Sequence, residues 1–257
     1  MVRLSVRAAR NKGTGQRFLL YRGKSRLNGQ AIRVILTPHS SNRKTGDMPQ
    51  VWILNDATDA VDAARQGMDT AVCGDCPLRS RASGGNGKCY VNLGHGPRAV
   101  WHAADYVDCT SGKGPAWEDM LHAIGDRIVR LGAYGDPAAV PVHIWKRLRR
   151  HVRTVGYTHA WRGLRPAVWS FLMASVDTHA EALDARRRGW RTFRTLWADR
   201  ADLERTPQQG AEVECPAWRG ITCAACGLCC GNDRPGKSSI TIKVHGYAVT
   251  RAESTFD

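Results

Sequence analysis

The chain has 257 residues, enough for one large domain or two small ones, and its 42% hydrophobic and 24% charged residues are ordinary for a globular protein. No stretch approaches the ~18 consecutive apolar residues of a membrane-spanning helix, which excludes an integral membrane protein of that kind. Lys and Arg number 38 against 23 Asp and Glu, a net charge of +15 that favours a polyanionic partner, nucleic acid first. Basic residues at Met1 to Arg10 have no apolar segment behind them, so the expected location is the cytoplasm.

In chain order, the first 50 residues read as a β-rich extension, with strand-like runs at Arg17 to Tyr21 and Ala31 to Leu36 between Gly- and Asn-bearing turns. Val51 to Leu54 is a further strand, and Asp56 to Gly67 has helical spacing ending at a Gly. Ala99 to Tyr106 and Trp117 to Ile124 read as helices. Four apolar runs follow, at Ile128 to Pro137, Thr154 to His159, Trp169 to Asp177 and Arg191 to Leu196. Between them lie helical stretches, Pro141 to His151 and Thr178 to Arg188, the latter opened by Asp177 or Thr178 as N-cap and closed by Gly189. Strands alternating with helices predict an α/β fold, a (β/α) barrel-like core, complete or partial. Such folds place their chemistry in loops after the strands, where Asp136, His159 and Asp177 fall. A cysteine-rich knuckle and a last strand, Ser239 to His245, close the chain. The expected division is an N-terminal β-rich extension over 1–50, the core with a first cysteine group over 51–210, and a metal or cluster segment over 211–257.

There are nine cysteines: Cys73, Cys76, Cys89, Cys109, Cys215, Cys223, Cys226, Cys229 and Cys230. Without a secretory signal, clustered cysteines indicate metal or redox chemistry before structural disulfides. Cys223-x2-Cys226-x2-Cys229 with Cys215 upstream supplies four thiolates, enough to close a zinc site or hold a [4Fe-4S] cluster, and its successive spacing resembles iron–sulfur loops more than zinc knuckles. Cys230 is then a spare. Cys73, Cys76 and Cys89 offer three thiolates, which on a cluster leave one iron open; joined by Cys109 or a C-terminal cysteine they would instead form a closed structural site, with zinc as the alternative metal. His159 sits at a strand end suited to acid/base work or ligation, and His95 lies in a Gly94-His-Gly-Pro loop. No His-Glu-x2-His, P-loop or Gly-x-Ser-x-Gly element occurs, which counts against a zinc peptidase, an NTPase and a serine hydrolase. Two Arg-rich segments suit phosphates and unpaired bases, Arg147, Arg149 and Arg150 in one, and Arg186, Arg187, Arg188, Trp190 and Arg191 in the other. Solvated helix faces are the competing reading of both.

Cys73-Gly-Asp-Cys-Pro-Leu-Arg and Lys88-Cys-Tyr-Val-Asn, preceded by Asn42-Arg-Lys-Thr-Gly, resemble a group of phage-encoded proteins of unknown function, a likeness covering roughly residues 40 to 95. The order of elements also resembles a radical S-adenosylmethionine barrel. A cysteine loop follows an early strand, Gly132 to Pro137 is similar to that family's Gly-Gly-Glu-Pro turn, and Ser175-Val-Asp177 ends a strand as its Ser-x-Asp element does. Cys73-x2-Cys76-x12-Cys89 stands in place of the family's Cys-x3-Cys-x2-Cys. The resemblance implies that Cys73, Cys76 and Cys89 ligate three irons of a [4Fe-4S] cluster whose fourth iron takes S-adenosylmethionine. It also implies that the backbone from Gly132 through Gly135 approaches the amine, that Tyr90 flanks the cluster, that Asp177 binds ribose or substrate, and that the C-terminal cysteines hold a second cluster. The implied activity is modification of nucleic acid or a nucleotide precursor, in a host cytoplasm. Two alternatives stand beside it: a transglycosylase-like barrel with a structural zinc in which Asp136 or Asp177 attacks a nucleotide sugar, and a non-enzymatic, metal-stapled nucleic-acid-binding protein.

Overall fold

The computed structural model describes residues 15–103, 105–197, 206–232 and 238–244. Two sheets carry a mixed α/β architecture. The first is built from β1 (Arg17–Lys24), β2 (Ala31–Thr37) and β3 (Gln50–Asn55), which pair antiparallel in sequence, so the first two strands extend the sheet of the third. Alternation in β1 buries Phe18 and Leu20, while β2 and β3 are covered on both faces and read as continuous apolar runs. After β3 the chain forms α1 (Ala60–Arg65), capped by the Asp59 carboxylate, which accepts from Val61 N at 2.8 Å and Asp62 N at 3.2 Å. Then come α2 (Thr70–Cys73), α3 (Gly96–Trp101), the edge strand β4 (Tyr106–Asp108) parallel to β1, and α4 (Pro115–Ile124). Trp117, Met120 and Ile124 place one stripe of α4 in the core.

β5 (Val129–Tyr134) lies parallel to β3, and α5 (Val142–Leu148) returns the chain to β6 (Thr154–Val155), parallel to β5. At Gly156 the chain leaves the first sheet and enters the second as β7 (Tyr157–Thr158). There β8 (Met173–Val176), β9 (Thr192–Leu196), β10 (Glu212–Glu214) and β11 (Ser239–Lys243) are all parallel, in the order β10-β11-β9-β8-β7. Helix α6 (His179–Arg187) connects β8 to β9, and the short helix α7 (Cys223–Cys226) carries two of the C-terminal cysteines.

Three sequence expectations change. Helix α3 stops at Trp101 instead of running to Tyr106, because the Tyr106 hydroxyl turns back and donates to the carbonyls of Val100 (2.8 Å) and Trp101 (3.0 Å), closing the helix end and freeing the chain for β4. The strand expected from Trp169 begins only at Met173, since Trp169 N donates to Arg165 O and Leu172 N to Trp169 O in successive turns. The last strand ends at Lys243, and His245 lies outside the described residues, as do the basic residues 1–14.

The β3–β5 pairing slips between Gln50 and Trp52, which oppose Arg130 and Tyr134, so β5 bulges around Gly132. Gly132 (φ 68°) and Gly135 (φ 82°) both need the left-handed region, and a Cβ on Gly135 would lie 2.7 Å from Ile53 Cβ and 2.8 Å from its carbonyl oxygen. Gly135→Ala is therefore expected to cost about 2–3 kcal/mol, read as a lower urea midpoint at unchanged slope. A loss under about 0.5 kcal/mol would mean that the bulge relaxes freely.

Candidate metal centres and chamber

The parallel strands β5, β7 and β8 end at one place. The Asp136 carboxylate after β5 is buried and both its oxygens are engaged: Oδ1 accepts from Ala138 N at 2.9 Å and Oδ2 from His159 N at 2.7 Å. Burial raises its pKa above the usual carboxylate range, against these hydrogen bonds. Asp136 therefore fastens the β5 and β7 loops together. His159 Nε2 stands 3.6 Å from Asp177 Oδ2 and 3.9 Å from Cys76 Sγ. Burial alone would push the imidazole down, but hydrogen bonds to Asp177 and Cys76 outweigh it and hold His159 well above its ordinary value. The N-cap of α6 is Thr178, whose hydroxyl accepts from Glu181 N at 3.1 Å, so the Asp177 side chain serves His159 and not the helix.

The first cysteine group lies against these strand ends. Helix α2 ends at Cys73, and Asp136 N donates to Val72 O at 2.6 Å, seating the Gly132 to Pro137 loop directly beneath the cysteine loop. Burial, with Cys76, Cys89, Asp69 and Asp136 nearby, pushes the Cys73 thiol well above its usual value, and burial pushes Cys89 up to about 11. The Tyr134 hydroxyl meets the Cys73 thiol, and Asp69 Oδ1, also buried, has no hydrogen-bond partner among the described residues. Cys109 stands apart: it is fully buried between β4 and α4, and its thiol lies 3.2 Å from Ala116 O.

The second group is fastened to the 42–46 loop, with Cys223 N donating to Lys44 O (3.0 Å) and Ala224 N to Thr45 O (2.9 Å). Burial raises the thiols of Cys215 and Cys223 and pushes Cys229 up to about 12, and the neighbouring Cys226 adds to each. Cys230 is buried with Met48, Ile128 and Val155 in a small apolar cluster against which Cys223 and Cys229 also pack.

Against the second group lies a chamber of about 330 Å³, lined by Cys215, Cys223, Cys226 and Cys229. Leu78, Lys88 and Tyr90, chain neighbours of Cys76 and Cys89, also line it, while Cys73, Cys76 and Cys89 themselves do not. Arg130 on β5 reaches into it and donates to the Tyr90 hydroxyl at 2.9 Å. Arg130, Tyr134 and Tyr157 were not singled out by sequence, and Lys44 entered only within the Asn42-Arg-Lys-Thr-Gly element; Arg130 carried a signal, a lone charge inside the apolar run Ile128 to Leu131.

The expected nucleic-acid surface is reduced. Trp190 is 2% exposed and belongs to the core, and Arg191 is buried with its guanidinium donating to the carbonyls of Leu228, Gly231 and Ser238, so neither faces a ligand. Arg147 donates to Thr110 O, Arg149 stacks on Phe171 at 4.7 Å, and Arg186 is held by Gln208 and stands 3.9 Å from Glu212. Arg150, Arg187 and Arg188 are exposed, and Arg188 pairs with Asp184 at 3.1 Å. His95 is exposed at the start of α3, and its side chain makes no capping hydrogen bond there. Among the described residues no helix is long and apolar enough to cross a membrane. Comparison with family models, with curated proteins and with solved structures finds no match.

Proposed function

We propose that the chain is an iron–sulfur enzyme of radical S-adenosylmethionine type that modifies nucleic acid or a nucleotide precursor, with the parallel strands from β3 to β10 forming an incomplete barrel. The observation that carries the reading is the pair of thiol groups: Cys73, Cys76 and Cys89 stand near one another beside the strand ends that carry Asp136 and His159, and Cys215, Cys223, Cys226 and Cys229 share the wall of the chamber. Each donor set consists of thiols, which iron–sulfur clusters and zinc both take, and the successive Cys223-x2-Cys226-x2-Cys229 spacing favours the cluster. A cluster seats each thiolate on its own iron.

In this reading Cys73, Cys76 and Cys89 hold one cluster and Cys215, Cys223, Cys226 and Cys229 the other. When bound, the first would supply an electron and an open iron. The chain's own residues do the rest: the Gly132 to Pro137 backbone shapes the floor under the cysteine loop, Asp136 fixes His159, and His159 holds a proton between Asp177 and Cys76. The net charge of +15 and the exposed Arg150, Arg187 and Arg188 support a phosphate-bearing substrate.

Anaerobic purification followed by iron, sulfide and zinc analysis tests this. About eight irons per chain are expected, falling by half in Cys73→Ala and in Cys226→Ala, with S-adenosylmethionine cleaved in the presence of a reductant. Zinc without iron would overturn the reading.

A further inference from the structure

The charged side chains that line the chamber are Lys44, Lys88 and Arg130, beside the four cysteines of the second group, and among the described residues no Asp or Glu lines it. The apolar lining is aromatic. Tyr157 and Phe193, neighbours from β7 and β9, stack with centroids 4.2 Å apart and planes 35° apart, and Lys88 Nζ sits 5.1 Å over the Trp197 ring. A volume of about 330 Å³ falls at the small end of ligand sites, which run from about 300 to 1,000 Å³, and suits one small molecule rather than a run of polymer. The planar guanidinium of Arg130 matches phosphate oxygens in pairs, and a ring stack accepts another flat ring at little cost in order.

We propose that this chamber binds one nucleotide, its ring against the Tyr157–Phe193 pair and its phosphate toward Arg130 and Lys88. The inference rests on the reading of the chain as acting on nucleotides and narrows it to a single nucleotide unit, free or at an accessible position of a strand. Lys44 and Arg130 also stand near the second thiol group, Lys44 beside Cys215 and Cys223 and Arg130 beside Cys223 and Cys229. Phe193 and Lys88 therefore separate ligand binding from any service to those thiols.

The test is equilibrium dialysis of the full, metal-bearing chain against the four common nucleoside monophosphates, the parent nucleosides, inorganic phosphate and a short single-stranded oligonucleotide, with metal content read on the same samples. At least one monophosphate is expected to bind about tenfold or more tighter than both its nucleoside and phosphate alone. Phe193→Ala is expected to weaken it about fivefold or more at unchanged metal content, and Arg130→Met about tenfold. If Arg130→Met fails to fold by circular dichroism, Lys88→Met takes its place, with the same direction expected. Displacement of bound oligonucleotide by the monophosphate would assign the unit to a strand; monophosphate binding with no oligonucleotide binding would assign it to the free pool. Absence of nucleotide binding in a folded chain with its full metal complement overturns the inference and leaves the iron–sulfur reading intact. Tight nucleotide binding in a chain that holds no iron does the reverse. Equal affinity for phosphate and nucleotide, or wild-type affinity in Phe193→Ala, would remove the aromatic half of the proposal and with it the nucleotide.

Discussion

Replacing Glu212 with Ala is expected to destabilise the fold by about 3–5 kcal/mol, the cost of stranding a buried charge. Both Glu212 and Arg194 have fully buried side chains, joined in two parallel bonds, Nε to Oε1 at 3.1 Å and Nη2 to Oε2 at 2.7 Å. The pair ties β9 to β10 across the intervening β11, and Glu212 also accepts from Gln208 N while Arg194 donates to Thr206 O. Total stabilities of about 5–15 kcal/mol make this a large fraction of what such a fold has to lose. The double change Arg194→Met with Glu212→Leu is expected to sit within about 2 kcal/mol of the parent, because removing both charges also removes both desolvation costs. Equilibrium urea unfolding of the single and double variants checks this. A single-variant loss below about 1 kcal/mol would show that water reaches the pair.

Loading the thiol groups with metal is expected to release about one proton for each cysteine that becomes a ligand. Burial holds Cys73 well above its usual value, Cys89 at about 11 and Cys229 at about 12, so at neutral pH the metal-free chain carries these as neutral thiols. The sign follows directly. Ligation needs the thiolate, protons compete for the same sulfur, and below these values affinity falls about tenfold per pH unit for every thiolate bound. Titration of the metal-free protein with Zn²⁺ in weakly buffered anaerobic solution, with an indicator dye, should show about three to four protons released as each group fills. Uptake without proton release would assign the metal to carboxylate or imidazole and remove the cysteines from the ligand set.

Much of the fold was legible because its signals are local. The strands β1, β2, β3, β5 and β9, the helix α4 and the cap of α6 follow from apolar alternation, helical spacing and a single Thr, and each fell within a few residues of its expected place. Hidden elements were those fixed by distant partners. β4 and β10 have three residues each and exist because β1 and β11 offer them an edge. The strand ends bearing Asp136, His159 and Asp177 were readable from β-α alternation, and the structure brings all three together with Cys76. Their division of labour was not readable. Whether a carboxylate caps its own backbone, as Asp136 does, or faces a neighbouring side chain, as Asp177 does, depends on the angle at which two loops meet. Trp190 and Arg191 misled for the same reason: Arg next to Trp looks like a stacking surface until the fold turns Trp190 into the core and wraps Arg191 in three carbonyls.

Gly156, where one sheet hands the chain to the other, joins the two thiol groups mechanically. Its N–H bonds to Cys229 O at 3.3 Å and its carbonyl accepts from Met173 N at 3.0 Å, and His159, beside Cys76, follows within the same short stretch of chain. A Cβ there would press within 2.9 Å of Leu172 and 3.1 Å of Leu131, so the backbone is clamped on both sides. Gly156→Ala would have to move Leu172 or Leu131, and with them the short stretch that sets His159 beside Cys76.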